Sequence, residues 1–131
     1  MIMETLRVAF ASDDRQNLST EHFGEAKEYL VYEISKTSIE LLETVVNISP
    51  EEKMHGDPNK AKGVAHLLKP YGVKVLVNKA FGRNITKMQQ KFVVIVSRNN
   101  TIEEAIKIIQ SQFELLVSEW QKGESRTYLK M

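Results

Sequence analysis

The segment that decides the fold is "VKVLVNKAFGRNITKMQQKFVVIVS", residues 73–97. It begins and ends in short apolar runs, 73–78 and 91–97, rich in Val and Ile. A polar loop, 79–84, and a short helical piece around 84–90 separate them. Runs of this kind, each following a helix-like stretch, suit strands buried on both faces in a parallel region of a sheet. A strand, a helix and a parallel strand connect by a right-handed crossover.

Upstream, residues 58–71 predict a helix. Ala61, Val64, Ala65 and Leu68 recur at three- and four-residue spacing, and Gly72 stands where a C-terminal cap belongs. Asp57-Pro58 forms a starting signal, an N-cap followed by proline. Downstream, 101–123 has the strongest helical pattern. Thr101 and Glu104 match a capping box. Ile102, Ala105, Ile106, Ile109, Phe113, Leu116, Val117 and Trp120 trace one apolar stripe, and Gly123 ends it. That stripe reads as core.

The N-terminal third alternates with period two. "TLRVAFA", 5–11, is a first strand. "EYLVYEIS", 28–35, is a second, with Tyr29, Val31 and Glu33 on one face and Leu30, Tyr32 and Ile34 on the other. "IELLETVVNI", 39–48, is a third. The turn "KTS" is too short for a crossover, so strands two and three are antiparallel. The order β-β-β-α-β-α-β-α predicts an α/β fold with a mixed five-stranded sheet and helices on its faces. No repeat or linker divides the chain, so 1–123 read as one domain and 124–131 as a mobile tail.

Composition narrows the function classes. The net charge of +1 argues against broad nucleic-acid binding. No apolar run approaches the roughly 18 residues of a membrane span, and the start of the chain lacks the basic and apolar regions of a signal peptide, so a cytoplasmic protein is expected. The chain has no cysteine. That excludes a disulfide frame, a thiolate nucleophile and a protein-thiolate metal site. No GxGxxG, Walker loop, HExxH or GxSxG occurs.

The polar loops are where chemistry could sit. Loop 12–27 follows strand one and loop 79–84 follows strand four. If these strands are parallel neighbours, both loops leave the same edge, beyond the carboxyl ends of the strands, where such folds bind ligands. Loop 49–57 leads into the first helix and is expected at that edge too. Together they supply His22, His55, Asp13, Asp14, Arg15, Asn17, Lys79, Arg83 and Asn84, with helix-start N–H groups near Asn59. Each has an ordinary alternative. His22 suits a backbone-bonded loop residue as well as a ligand. His55 suits a solvated surface residue, and His66 sits off the stripe of its helix. Asp13-Asp14 suits turn capping better than metal binding. Gly82 suits a positive-φ turn or a close approach of backbone to a ligand. Met54 and Met88 suit gap filling.

Taken together, "RVAFAS", "HFGEAKEYLVYEI", "VKVLVNKAFGRN" and "TIEEAI", in this order over residues 5–110, resemble the dinitrogenase iron–molybdenum cofactor biosynthesis family. The resemblance implies a ribonuclease H-like fold. It implies non-catalytic binding of an anionic iron–molybdenum or molybdenum–sulfur cluster, held labile and handed on to cofactor-biosynthesis partner proteins. In cofactor-carrying members an Arg-Asn-Leu stretch leads to the histidine before Phe-Gly. Here "RQNLSTEHFG" offers Arg15, Asn17, Leu18, His22, Phe23 and Gly24, with Gln16 inserted. On this reading His22, and secondarily His55, ligate metal. Arg15 and Arg83 neutralise cluster charge, Gly82 shapes the second loop, and a flexible loop suits release of cargo. The chain departs from the family where a Gly-rich stretch gives way to "NKAFG". Two alternatives remain: a metal-dependent nuclease on the same fold using Asp13, and a regulatory or protein-interaction domain without a cofactor.

Overall fold

The computed structural model describes residues 4–48 and 58–131. In chain order the elements are β1 (Leu6–Ser12), β2 (Glu28–Ile34), β3 (Ile39–Val46), α1 (Pro58–Leu68), β4 (Val75–Asn78), α2 (Ile85–Lys91), β5 (Val93–Val96), α3 (Ile102–Ser111), α4 (Phe113–Gln121) and β6 (Leu129–Lys130). Met54, His55 and Asp57 lie outside the described residues, as do the side chains of Asn59 and Ala61.

The strands form one mixed sheet in the order β3-β2-β1-β4-β5-β6. β1, β2 and β3 pair antiparallel, with Leu6 opposite Ile34 and Ser12 opposite Glu28. β4 joins β1 in parallel, Val8 opposite Val75, and β5 joins β4 in parallel, Val75 opposite Val93. β4 and β5 lie inside the sheet, as their unbroken apolar runs require.

Alternating side chains feed two cores. On one face Val8, Phe10, Leu30, Val77 and Ile95 meet the α3–α4 stripe of Ile102, Ile106, Ile109, Phe113 and Leu116. On the other, Ala9, Tyr29, Val31, Leu76 and Val94 meet Val64 and Leu68 of α1 and Met88 of α2. The small Ala9 and Ala11 leave room on that face for Phe23 and Phe81, which come from the two loops beyond the strand ends.

Three features differ from expectation. The sheet has six strands rather than five, and the sixth lies in the segment expected to be a mobile tail. Arg126 anchors this tail: it is 6% exposed, donates to the carbonyls of Trp120 and Gln90, and stacks on the Trp120 ring at 4.2 Å. The carboxylate of Glu119 accepts the Thr127 N–H at 3.0 Å. β6 then follows β5 in parallel, with Ile95 opposite Leu129. Second, the long C-terminal helix breaks at Gln112. Ser111 Oγ donates to the carbonyl of Ile108 at 2.7 Å, and the Gln112 N–H is shared between the Ile108 and Ile109 carbonyls, so the helical ladder is disturbed there. Third, α1 ends at Leu68 and continues as a 3-10 turn, residues 69–71, closed by Gly72 at φ 67°. The capping box of Thr101 and Glu104 forms as expected.

Candidate functional site at the loop edge

Because β1 and β4 run parallel, loops 13–27 and 79–84 leave the same edge of the sheet. The first loop has two halves held in different ways.

The half 13–19 is held by its own side chains and by the β5–α3 connection. The Asp14 carboxylate accepts the N–H of Asn17 at 2.7 Å, the Asn17 amide at 2.8 Å and the N–H of Gln16 at 2.9 Å. These bonds, the Asn17 N–H foremost, push its pKa down to about 2. Ser12 Oγ accepts the Arg15 N–H and donates to the Asn17 carbonyl. Asp13 accepts Ser19 Oγ and the Lys27 N–H. The Leu18 N–H reaches the Asn100 carbonyl at 2.8 Å, and Ile102 N–H reaches the Gln16 carbonyl at 3.0 Å. Asp14 therefore caps a turn, as expected, while Asp13 ties the start of the loop to Ser19 and to its far end at Lys27. Arg15 sits in the left-handed region, φ 68°, and grips Glu28 with Nε at 2.8 Å. Its charge is matched by that carboxylate, which also raises the guanidinium pKa.

The half 21–26 is held from outside. Asn78, fully buried at the end of β4, donates its amide to the carbonyls of Glu21 at 2.8 Å and Ala80 at 3.1 Å. The Phe23 N–H reaches the Ala80 carbonyl at 2.9 Å. The Phe23 ring stacks on Phe81 at 5.0 Å, nearly parallel, and on Tyr29 at 4.8 Å. Tyr29, whose pKa is raised mainly by burial, donates its hydroxyl to the Phe23 carbonyl at 2.8 Å. Asn47 donates to the carbonyls of Gly24 and Ala26. The loop expected to be flexible is thus hydrogen-bonded along its length.

His22 immediately precedes this clamp, half-buried, at the start of a 3-10 turn over Phe23–Glu25. Its imidazole lies against Gly82. A Cβ built on Gly82 would stand 2.6 Å from His22 Nδ1 and 2.9 Å from Cε1, and Gly82 has φ 69°. The positive-φ turn expected of this glycine is present, and a side chain here would force the imidazole to move. Arg83 follows, exposed.

Of the expected site residues, the structure therefore brings together His22, Phe23, Gly24 and Gly82, with Arg83 next in the chain. Phe23 and Gly24 are buried and act as supports. Arg15 and Asn17 are engaged elsewhere: Arg15 lines a separate hollow with Tyr32, Ile39 and Ile102. Another cavity at this edge, about 340 Å³, is lined by Asp13, Asp14, Asn17, Lys79 and Asn100 and does not include His22. Its two carboxylates make it a poor seat for an anion. No group of three or more metal-ligating His, Asp or Glu side chains converges among the described residues.

Sequence reasoning missed Asn78, Phe81 and Tyr29. The one visible signal was the polar Asn78 closing an otherwise apolar strand. Its Oδ1 has no hydrogen-bond partner among the described residues.

Comparison with known proteins fits this architecture. The chain resembles a candidate dinitrogenase from Methanocaldococcus jannaschii, with a TM-score of 0.59 at 15% identity over 84% of this chain and 91% of that one. It also resembles the crystal structure of PH0822, with a TM-score of 0.56 at 17% identity over 93% and 96% of the two chains. These likenesses concern the fold. No curated protein matches. The family model described as dinitrogenase iron-molybdenum cofactor matches residues 4–112, which include both loops of the site, and the chain belongs to that family.

Proposed function

We propose that this protein binds an anionic iron–molybdenum or molybdenum–sulfur cluster, or its precursor, without catalysis, at the edge formed by His22, Gly82 and Arg83. The observation that carries the reading is the seating of the His22 imidazole on a side-chain-free glycine. A neutral imidazole is a good ligand for iron or molybdenum. Packing against Gly82 fixes the ring plane, and the Phe23–Phe81 stack with the Asn78 clamp fixes the backbone that carries it. Arg83, exposed and next in the chain to the Gly82 that the imidazole lies against, supplies a positive charge suited to a sulfide-rich anion. One histidine with few neighbouring ligands holds such a cluster loosely, as delivery requires. His55 is a second ligand on this reading. Arg15 contributes by way of the loop, since its charge is spent on Glu28.

The order β3-β2-β1-β4-β5 supports the ribonuclease H-like arrangement. A nuclease of that fold would need carboxylates free to bind metal ions. Asp13 instead accepts two hydrogen bonds from its own loop, and β4 ends in Asn78. The carrier reading is therefore preferred. We place its action in the cytoplasm, together with proteins that supply and receive the cluster.

The test is an anaerobic titration of the protein with an iron–molybdenum–sulfur cluster, followed by absorption and native mass. Saturable binding is expected, with His22→Ala weaker by roughly 10-fold or more. Equal binding by the variant removes His22 from the site.

A further inference from the structure

Charge is distributed unevenly along the chain. Residues 58–102 contain nine Lys and Arg and no Asp or Glu, so the remainder carries a net −8 against the +1 of the whole. The fold gathers part of this excess on one face. Between α1 and α2 run two adjoining hollows, about 760 and 280 Å³, that share Lys62, Ala65, Lys91 and Phe92. Lys69 extends the rim at one end and Lys87 at the other. All four lysines are exposed, while Phe92 is 7% exposed and forms an apolar floor. Among the described residues none of the four lysines joins an ion pair or a side-chain hydrogen bond. The other helical face differs: Lys107 lies near Glu103, and Lys122 near Glu119.

We propose that this groove docks an acidic peptide segment of a partner protein, with apolar side chains spaced between its carboxylates. An apolar floor between exposed ammonium groups complements a segment that buries Leu or Ile while its Glu and Asp side chains face the lysines. Among the described residues the groove lacks what single-stranded nucleic acid needs: no exposed aromatic platform and no arginine lines it. A second copy of this chain is the other competitor, because the β2–β3 half is acidic. The docking surface shares no residue with His22, Gly82 or Arg83 and does not depend on the cluster reading.

The test is fluorescence anisotropy of the full chain with a labelled helix-forming peptide of Glu and Leu, beside a Glu-only peptide and a labelled DNA oligonucleotide. Micromolar binding of the Glu–Leu peptide is expected, weakened by added salt. The double variant K62E/K91E should weaken it roughly 10-fold or more. Both sites are surface positions, and an unchanged melting temperature and cluster titration would show that the variant is intact. The proposal is overturned if the peptide fails to bind, or if the variant binds it as well. Equal binding of the Glu-only peptide would also overturn it, since the apolar floor would then be idle. Tighter, lysine-dependent binding of DNA would assign the groove to nucleic acid instead. Lysine-dependent self-association in sedimentation would assign it to a second copy.

Discussion

The two halves of loop 13–27 contrast in where their order comes from. Residues 13–19 carry much of their own support: Asp14 and Ser12 satisfy the amides of Arg15, Gln16 and Asn17 locally, as turn-forming residues do. Residues 21–26 add to one short 3-10 turn a set of distant supports, Asn78, Phe81, Tyr29 and Asn47. A self-satisfied turn spends its polar groups on itself. A segment held from outside is positioned by its neighbours, and His22 stands at the junction, with its ring against Gly82. Asp13 and Asp14 are thus engaged within the loop, while the imidazole is placed by the second loop.

Three substitutions break or sharpen this contrast. The largest effect is expected from Phe23→Ala, which empties the stack with Phe81 and Tyr29. It should cost about 3–5 kcal/mol, read by denaturant unfolding. A loss under about 1 kcal/mol would mean that the outer half does not depend on its neighbours. Next comes Gly82→Ala. The positive φ costs about 1–2 kcal/mol, and the new Cβ would displace the imidazole. Cluster affinity should fall about as far as in His22→Ala, and further loss in the double variant should be small. Full additivity would separate the two residues.

The smallest effect belongs to the inner half. With its pKa lowered from 3.8 to about 2, Asp14 contributes stability that is complete above the ordinary carboxylate range. That contribution is lost as pH falls toward about 2. The melting temperature of the wild type should therefore decline more steeply between about pH 4 and pH 2 than that of Asp14→Ala. Parallel curves would show that the turn is not held by the ionised carboxylate. Cluster binding at neutral pH should barely respond to Asp14→Ala, because the inner half does not carry the imidazole.

Much of the architecture was legible because it rests on local pattern. Period-two alternation marked β2 and its two faces, continuous apolar runs marked β4 and β5, and the Thr101–Glu104 box marked the start of α3. What was not legible depends on distant partners. β6 is two residues long and has no pattern of its own; it exists because Arg126 and Glu119 seat the tail against α4. The break at Gln112 interrupts an apolar stripe that continues across it. At the site, His22 and Gly82 could be nominated separately, but their contact spans 60 positions in the chain and needs the β1–β4 pairing. Arg15 stood near His22 in sequence, yet Glu28 was the partner it found.

The central claim is that the His22 imidazole ligates the cluster's metal. X-ray absorption at the iron and molybdenum edges of the cluster-loaded protein addresses it directly. The account predicts a light-atom scatterer with imidazole multiple scattering in the wild type, and its loss in His22→Ala. The same spectrum in both proteins would contradict it.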